Sequence, residues 1–137
     1  MNISAWQEET EDLHHFFEAW LGGSLPRTEE TFSRLPLVLD PGFTLISPTG
    51  EVATRAELLE TLWREHGSRG EWRIWIERPQ LRYEDEKVVL ATYEEWQTVG
   101  GKTTARLSTA LFSRTPTAPH GLNWLHVHET WLNTDTL

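Results

Sequence analysis

The sequence predicts an α+β domain in which a cone-shaped, strongly curved antiparallel sheet packs on three N-terminal helices. Three observations carry this reading. Apolar residues recur at helical spacing through the first 66 positions, the period changes from 3.6 to 2 at Glu71, and four period-2 runs of eleven or twelve residues follow. Strands usually run about five or six residues. Runs twice that length must coil, and a coiled sheet has a hollow face that helices can roof while leaving one end open.

Each element has a local cause. In residues 4 to 21, Leu13, Phe16, Phe17, Trp20 and Leu21 fall at i, i+3, i+4, i+7 and i+8, one buried stripe of a helix. Glu8, Glu9, Glu11 and Asp12 lie near its positive end, where the dipole favours carboxylates, and Gly22-Gly23 stops it. A shorter helix is expected from Thr28 through Phe32 and Leu35, until Pro36 and Asp40-Pro41-Gly42 interrupt the pattern. Phe43 to Ser47 reads as a short strand and Pro48-Thr49-Gly50 as a turn. Thr54 is the expected N-cap of a third helix carrying Leu58, Leu59, Leu62 and Trp63 and ending near His66-Gly67. The long strands are Trp72 to Tyr83, with Pro79 as a candidate bend, then Lys87 to Thr98, Thr103 to Arg114 and Leu122 to Leu132. Their joints are Glu84-Asp85-Glu86, Gly100-Gly101 and a longer loop from Thr115 to Gly121.

Composition narrows the function classes. The 137 residues carry 12 basic and 21 acidic side chains, a net charge of −9, which argues against a phosphate-backbone binder, so no nucleic acid partner is expected. The chain contains no cysteine, which excludes a thiolate metal site, a disulfide framework and a cysteine nucleophile. No apolar run approaches the length of a membrane span, and the acidic start is unlike a secretory signal, so a cytoplasmic protein with no membrane partner is expected. Eight tryptophans stand beside one methionine, an excess of indole that suggests a pocket or an interface.

Several strings give the pattern a family likeness. Asp40-Pro41-Gly42-Phe43-Thr44 enters the first strand, Pro48-Thr49-Gly50 follows it, and the last strand holds a tryptophan, a His-x-His pair and a threonine at Trp124, His126, His128 and Thr130. Over about residues 4 to 132 the chain resembles the nuclear transport factor 2-like superfamily, a cystatin-like roll that includes the SnoaL-like cyclases. The local likeness is to the association domain of calcium/calmodulin-dependent protein kinase II and to bacterial stand-alone proteins of unknown function related to it. The resemblance implies a single domain over residues 1 to 137 with a conical cavity. It leaves the activity open, because this fold hosts both enzymes and assembly modules.

The resemblance points Glu129 and Trp131 into the cone and His126 and His128 outward; the kinase domain has an arginine where Glu129 stands. Arg106 and Ser108 share one face of the third long strand, a pattern suited to a polar group aimed at a cavity. A two-residue Gly100-Gly101 turn would place Glu95 opposite Arg106, whereas a three-residue loop with a glycine bulge would place Glu94 there. The resemblance turns Thr92, Glu94 and Trp96 inward, so Glu94 is the expected partner. The expected ligand-binding set is therefore Trp20, Glu94, Trp96, Arg106, Ser108, Glu129 and Trp131, with Arg106 as anion anchor and the indoles as walls. Two glutamates on one arginine would leave spare negative charge, raising the pKa of one of them and fitting it for general acid/base work. The competing reading is a cross-strand ion pair with no ligand.

His126 and His128 could share a metal ion, but a third ligand is not evident, and hydrogen-bonded histidines at a subunit contact are the expectation. His14 or His15 could reach the mouth of the cone or stay solvated. No metal and no cofactor are expected. Trp72 and Trp75 lie on opposite faces of their strand, and both faces of the next are apolar, so a homodimer covering the outer sheet face is expected. Two functions remain: a SnoaL-like domain that binds a small carboxylate-bearing or aromatic ligand, with or without general acid/base catalysis, and a non-catalytic oligomerisation or regulatory module. A ketosteroid-isomerase site would need a tyrosine paired with a carboxylic acid, and the sequence alone places neither Tyr83 nor Tyr93 against one.

Overall fold

The computed structural model describes residues 4–134. The elements are α1 (Ala5–Gly22), α2 (Glu29–Phe32), α3 (Arg34–Val38), β1 (Leu39–Ile46), β2 (Val52–Thr54), α4 (Arg55–Arg64), β3 (Trp72–Glu84), β4 (Val88–Val99), β5 (Lys102–Arg114) and β6 (Leu122–Leu132). The second expected helix is two short ones, because Ser33 closes α2 while the chain turns directly into α3. One six-stranded sheet has the order β2-β1-β6-β5-β4-β3. Its pairs are antiparallel except β1 with β6, so the first strand ends up beside the last and the sheet is mixed.

Capping residues set the helix ends. Gly23 adopts φ 83°, and the amides of Gly23 and Ser24 bond the carbonyls of Trp20 and Ala19, the paired bonds of a Schellman motif. Thr54 and Glu57 form a reciprocal capping box at the start of α4. The amides of Gly67 and Arg69 bond the carbonyls of Trp20 and Leu21, tying the loop after α4 to the end of α1. β1 begins four residues earlier than expected, because Asp40 accepts from the amide of Gly42 and absorbs the Pro41-Gly42 kink as a register shift.

Bulges coil the long strands. The register of β3 on β4 shifts between Glu77 and Gln80, where Arg78 takes φ 51° immediately before Pro79. That pair shifts again between Leu81 and Tyr83, and a third shift, between Leu111 and Phe112, leaves Leu125 of β6 without a direct partner. The inward row of β6 therefore runs Leu122, Trp124, then Val127 and Glu129. Strict alternation would have placed Trp124 on the outer face with His126 and His128; the bulge turns it inward.

The core lies between the helices and the inner sheet face. Trp20 is completely buried, with ring centroids 5.8 Å from Phe16, 4.8 Å from Phe32 and 5.6 Å from Trp63, and its indole N–H donates to the carbonyl of Leu62 at 2.6 Å. Nearby, buried Glu9 accepts both arms of the Arg34 fork, at 3.1 and 3.2 Å, and the indole N–H of Trp124 at 2.8 Å. That carboxylate is fully satisfied without water.

Candidate functional site

A cavity of about 220 Å³ opens between α1, α4 and the inner face of the sheet. Its apolar wall includes Phe17, Leu21, Leu58, Trp72, Ile74 and Trp124, and its polar strip is His14, Arg69, Tyr93, Glu95, Gln97, Arg106 and Glu129. Helical spacing brings His14 there: it is one turn before Phe17 and two before Leu21, so it rides the stripe that faces the sheet.

The hairpin decides which glutamate enters. Val99 pairs with Lys102, and Gly100 and Gly101 have φ 57° and 79°, a two-residue turn with both central residues left-handed. This is the turn whose twist matches its strands, and it needs glycine or asparagine. Glu95 consequently pairs with Arg106, not Glu94, correcting the sequence expectation. Glu94 and Trp96 lie on the outer face, where Glu94 accepts from Arg78 at 2.6 Å and from the Trp96 indole at 3.0 Å.

Within the cavity, Glu95 is saturated. One oxygen meets Nε2 of His14 at 2.8 Å; the other meets Nε of Arg106 at 3.2 Å and the amide nitrogen of Gln97 at 2.9 Å. His14 Nδ1 lies 2.7 Å from the carbonyl oxygen of Thr10. A carbonyl only accepts, so Nδ1 donates, and the pair of His14 and Glu95 must share one further proton between Nε2 and Oε1. Whichever atom holds it, the pair is neutral as a unit. Burial alone would raise Glu95, but the hydrogen bond and charge of His14, the charge of Arg106 and the Gln97 bond hold its pKa down, to about 2.

Glu129 is the contrasting carboxylate. It meets Arg106 at 3.1 Å, while its other oxygen has the Ser108 hydroxyl at 3.4 Å, a long bond. Burial, then the negative charge of Glu95, push its pKa up to about 7 against the pull of Arg106. Burial likewise raises Tyr93, whose ring lies edge-on to His14 at 5.5 Å, and keeps its hydroxyl neutral. One guanidinium therefore serves two carboxylates with opposite proton affinities, the arrangement by which active sites separate an ion from an acid.

Other expected residues fall at different depths. Ser108 is completely buried behind Glu129. Trp131, 48% exposed, does not line the cavity, and its ring lies 4.7 Å from the Arg106 guanidinium carbon. Trp20 stands in the aromatic core and does not line the cavity. His126 and His128 face out; His126 Nδ1 lies 2.8 Å from the Thr44 hydroxyl. The expected set left out Glu95, which the sequence offers only as the alternative partner of Arg106, and did not include Tyr93, Gln97, Trp72, Trp124 or Arg69 as lining. Paired glycines in the turn were the available signal for Glu95, Tyr93 and Gln97, which share one face. Arg69 had none: its placement, 4.5 Å over Trp72 and donating to Gln97 at 3.0 Å, depends on the loop bonds to α1.

Comparisons with known proteins are consistent with this architecture. A family model described as sucrose-6-phosphate phosphohydrolase C-terminal matches residues 9–133. Sucrose-phosphatase 2 of Nicotiana tabacum is 29% identical over 128 residues, which is 91% of this chain and 30% of that protein. The chain thus spans less than a third of the length of the curated relatives it matches. Among solved structures, an NTF-2 like protein of unknown function from Pseudomonas aeruginosa is similar with a TM-score of 0.85 at 25% identity, over 94% of this chain and 99% of that one. The CaMKII hub of S. rosetta is similar with a TM-score of 0.71 at 14% identity, over 93% and 95% of the two chains. The fold is nuclear transport factor 2-like.

Proposed function

The chain belongs to the sucrose-6-phosphate phosphohydrolase C-terminal family, and from that premise we propose a SnoaL-like small-molecule-binding domain whose cavity takes a compact carboxylic acid with a short apolar or aromatic body. The charge balance of the cavity carries this reading. The protein is strongly acidic, at −9, yet its cavity is not. His14 with Glu95 is neutral as a unit, Arg69 and Arg106 are cationic, and Glu129 alone offsets them, leaving a positive lining. Low-dielectric walls focus such a field on an anion. Arg106 would anchor the carboxylate with Trp131 over its face, and Phe17, Trp72 and Trp124 would pack the body.

Size selects within the chemistry suggested by the relatives' names. The cavity, about 220 Å³, is below the roughly 300–1,000 Å³ of sites for drug-sized ligands. A phosphorylated disaccharide exceeds it; an acid of few heavy atoms fits. Glu129 is the group placed for general acid/base work on such a ligand. A thermal-shift panel of short aliphatic and aromatic carboxylic acids at pH 6 tests the reading. We expect at least one acid to stabilise the protein and Arg106→Ala to abolish that shift; a panel without a single stabilising acid overturns it.

A second reading concerns the outer sheet face and rests on a separate observation. Tyr83, Leu90, Leu111 and His126 align across four strands there, beside the stacked rings of Trp75 and Trp96, whose centroids are 6.2 Å apart. Leu107 and Tyr83 on this face are 37% and 54% exposed. We propose that a second copy of the chain covers this row, making the domain a homodimer that could act as an assembly or regulatory module. Light scattering at micromolar concentration should return a dimer that Leu107→Glu dissociates; a monomer throughout overturns this reading and leaves the cavity reading untouched.

A further inference from the structure

We propose that the acid enters by exchange: its carboxylate takes the place of Glu129 on Arg106 while Glu129 withdraws as the neutral acid, so that each ligand is bound together with one proton from solvent. This rests on the reading of the cavity as an acid-binding site, and deepens it by assigning the coupled proton to one residue.

The geometry leaves little else to move. Glu95 is held by three donors from three residues, His14, Arg106 and Gln97, and its contacts account for both oxygens. His14 is pinned at both ring nitrogens, by Thr10 and Glu95. Glu129 has one close partner, Arg106, and one long one, Ser108. The charged and titratable groups that face it are His14 from α1, Tyr93 and Glu95 from β4, and Arg106 from β5; Arg69, from the loop before β3, lines the same cavity. None of the four facing groups is a free base that could take up the proton in its place.

Competition for the donors of Arg106 then sets the stoichiometry. With Glu129 ionised, Nε of Arg106 is taken by Glu95 and a terminal nitrogen by Glu129, while the cavity's remaining positive charge sits on Arg69, which donates to Gln97 and lies over Trp72. A carboxylate arriving at Arg106 without a proton would crowd three carboxylates onto that one guanidinium, and like charges in contact oppose it. With Glu129 protonated, the incoming carboxylate returns the number of ionised carboxylates at Arg106 to two. One proton passes from solvent to a Glu129 oxygen, the Arg106–Glu129 contact breaks, and the Arg106–ligand contact forms. The intrusion of Glu129 on Arg106 is thus a built-in competitor whose removal is driven by protons, and the raised affinity of Glu129 for a proton agrees with that role.

Calorimetric titration with butyrate and benzoate, run at pH 8 in two buffers of different ionisation heat, reads the proton directly. We expect uptake approaching one proton per acid at pH 8 and little at pH 5.5, with affinity falling about tenfold per pH unit above neutrality. Glu129→Gln, whose amide does not ionise, should bind with neither proton uptake nor pH dependence, whereas Glu94→Gln on the outer face should behave as wild type. Acid binding without proton uptake, or a Glu129→Gln variant that keeps the pH dependence, overturns the exchange while leaving the acid site standing. Failure of both acids and the whole panel to bind overturns both.

Discussion

Two buried clusters join glutamate, arginine and tryptophan in this protein, and they differ in how donors are matched to acceptors. At Glu9, one carboxylate receives a two-armed arginine and an indole N–H. At Arg106, one guanidinium is divided between Glu95 and Glu129, and the tryptophan offers its face instead of its nitrogen. The first arrangement has no acceptor left over and belongs to the core. The second leaves a half-satisfied carboxylate on the wall of a cavity. Burial and residue type are shared, so the matching of hydrogen bonds is what separates a clasp from a site.

Breaking the clasp should produce the largest effect. Arg34→Ala leaves Glu9 buried without its cation, and we expect a loss of about 3–5 kcal/mol in chemical denaturation. Arg106→Ala should cost less, about 1–3 kcal/mol at pH 8, because Glu129 can neutralise itself, and the loss should shrink toward pH 6. Equal costs for the two arginines would erase the distinction drawn here.

The carboxylates at Arg106 also predict a pH signature. Glu129, raised from 4.5 to about 7, holds its proton longer in the folded than in the unfolded state, so its contribution is complete below pH 4.5 and is lost as pH rises toward 7. Glu95, lowered from 4.5 to about 2, contributes fully above pH 4.5 and loses that contribution as pH falls toward 2. Together they support the fold most strongly near pH 4.5. Glu129→Gln should remove the decline between pH 4.5 and 7, and a wild-type stability that stays flat across that interval would contradict the assignment. The smallest expected effect is that of Trp131→Ala, about 0.5–1 kcal/mol from the lost contact with Arg106.

The sequence carried the architecture further than the site. Periodicity located α1, α4 and the four long strands, because those patterns extend over many residues and errors at one position average out. The site turned on single residues. Glu94 and Glu95 are adjacent, both acidic, and distinguished only by strand phase, which the φ angles of Gly100 and Gly101 fix. Strict alternation puts Trp124 on the outer face with His126, the unpaired Leu125 turns it inward, and nothing about a leucine at that position announces a bulge. The short strand β2 escaped notice because three residues carry no period. That Arg106 and Glu129 share the cavity wall is legible because a charged residue on an otherwise apolar strand face has few places to go.

The tight joint between β4 and β5 has a consequence for how such a domain could diversify. Because two glycines set the frame of the strand before them, inserting or deleting one residue there would present Thr92, Glu94 and Trp96 to the interior and send Tyr93, Glu95 and Gln97 to the exterior. A single codon-length change could thus replace one complete chemical lining with another already written in the same strand, without altering any side chain.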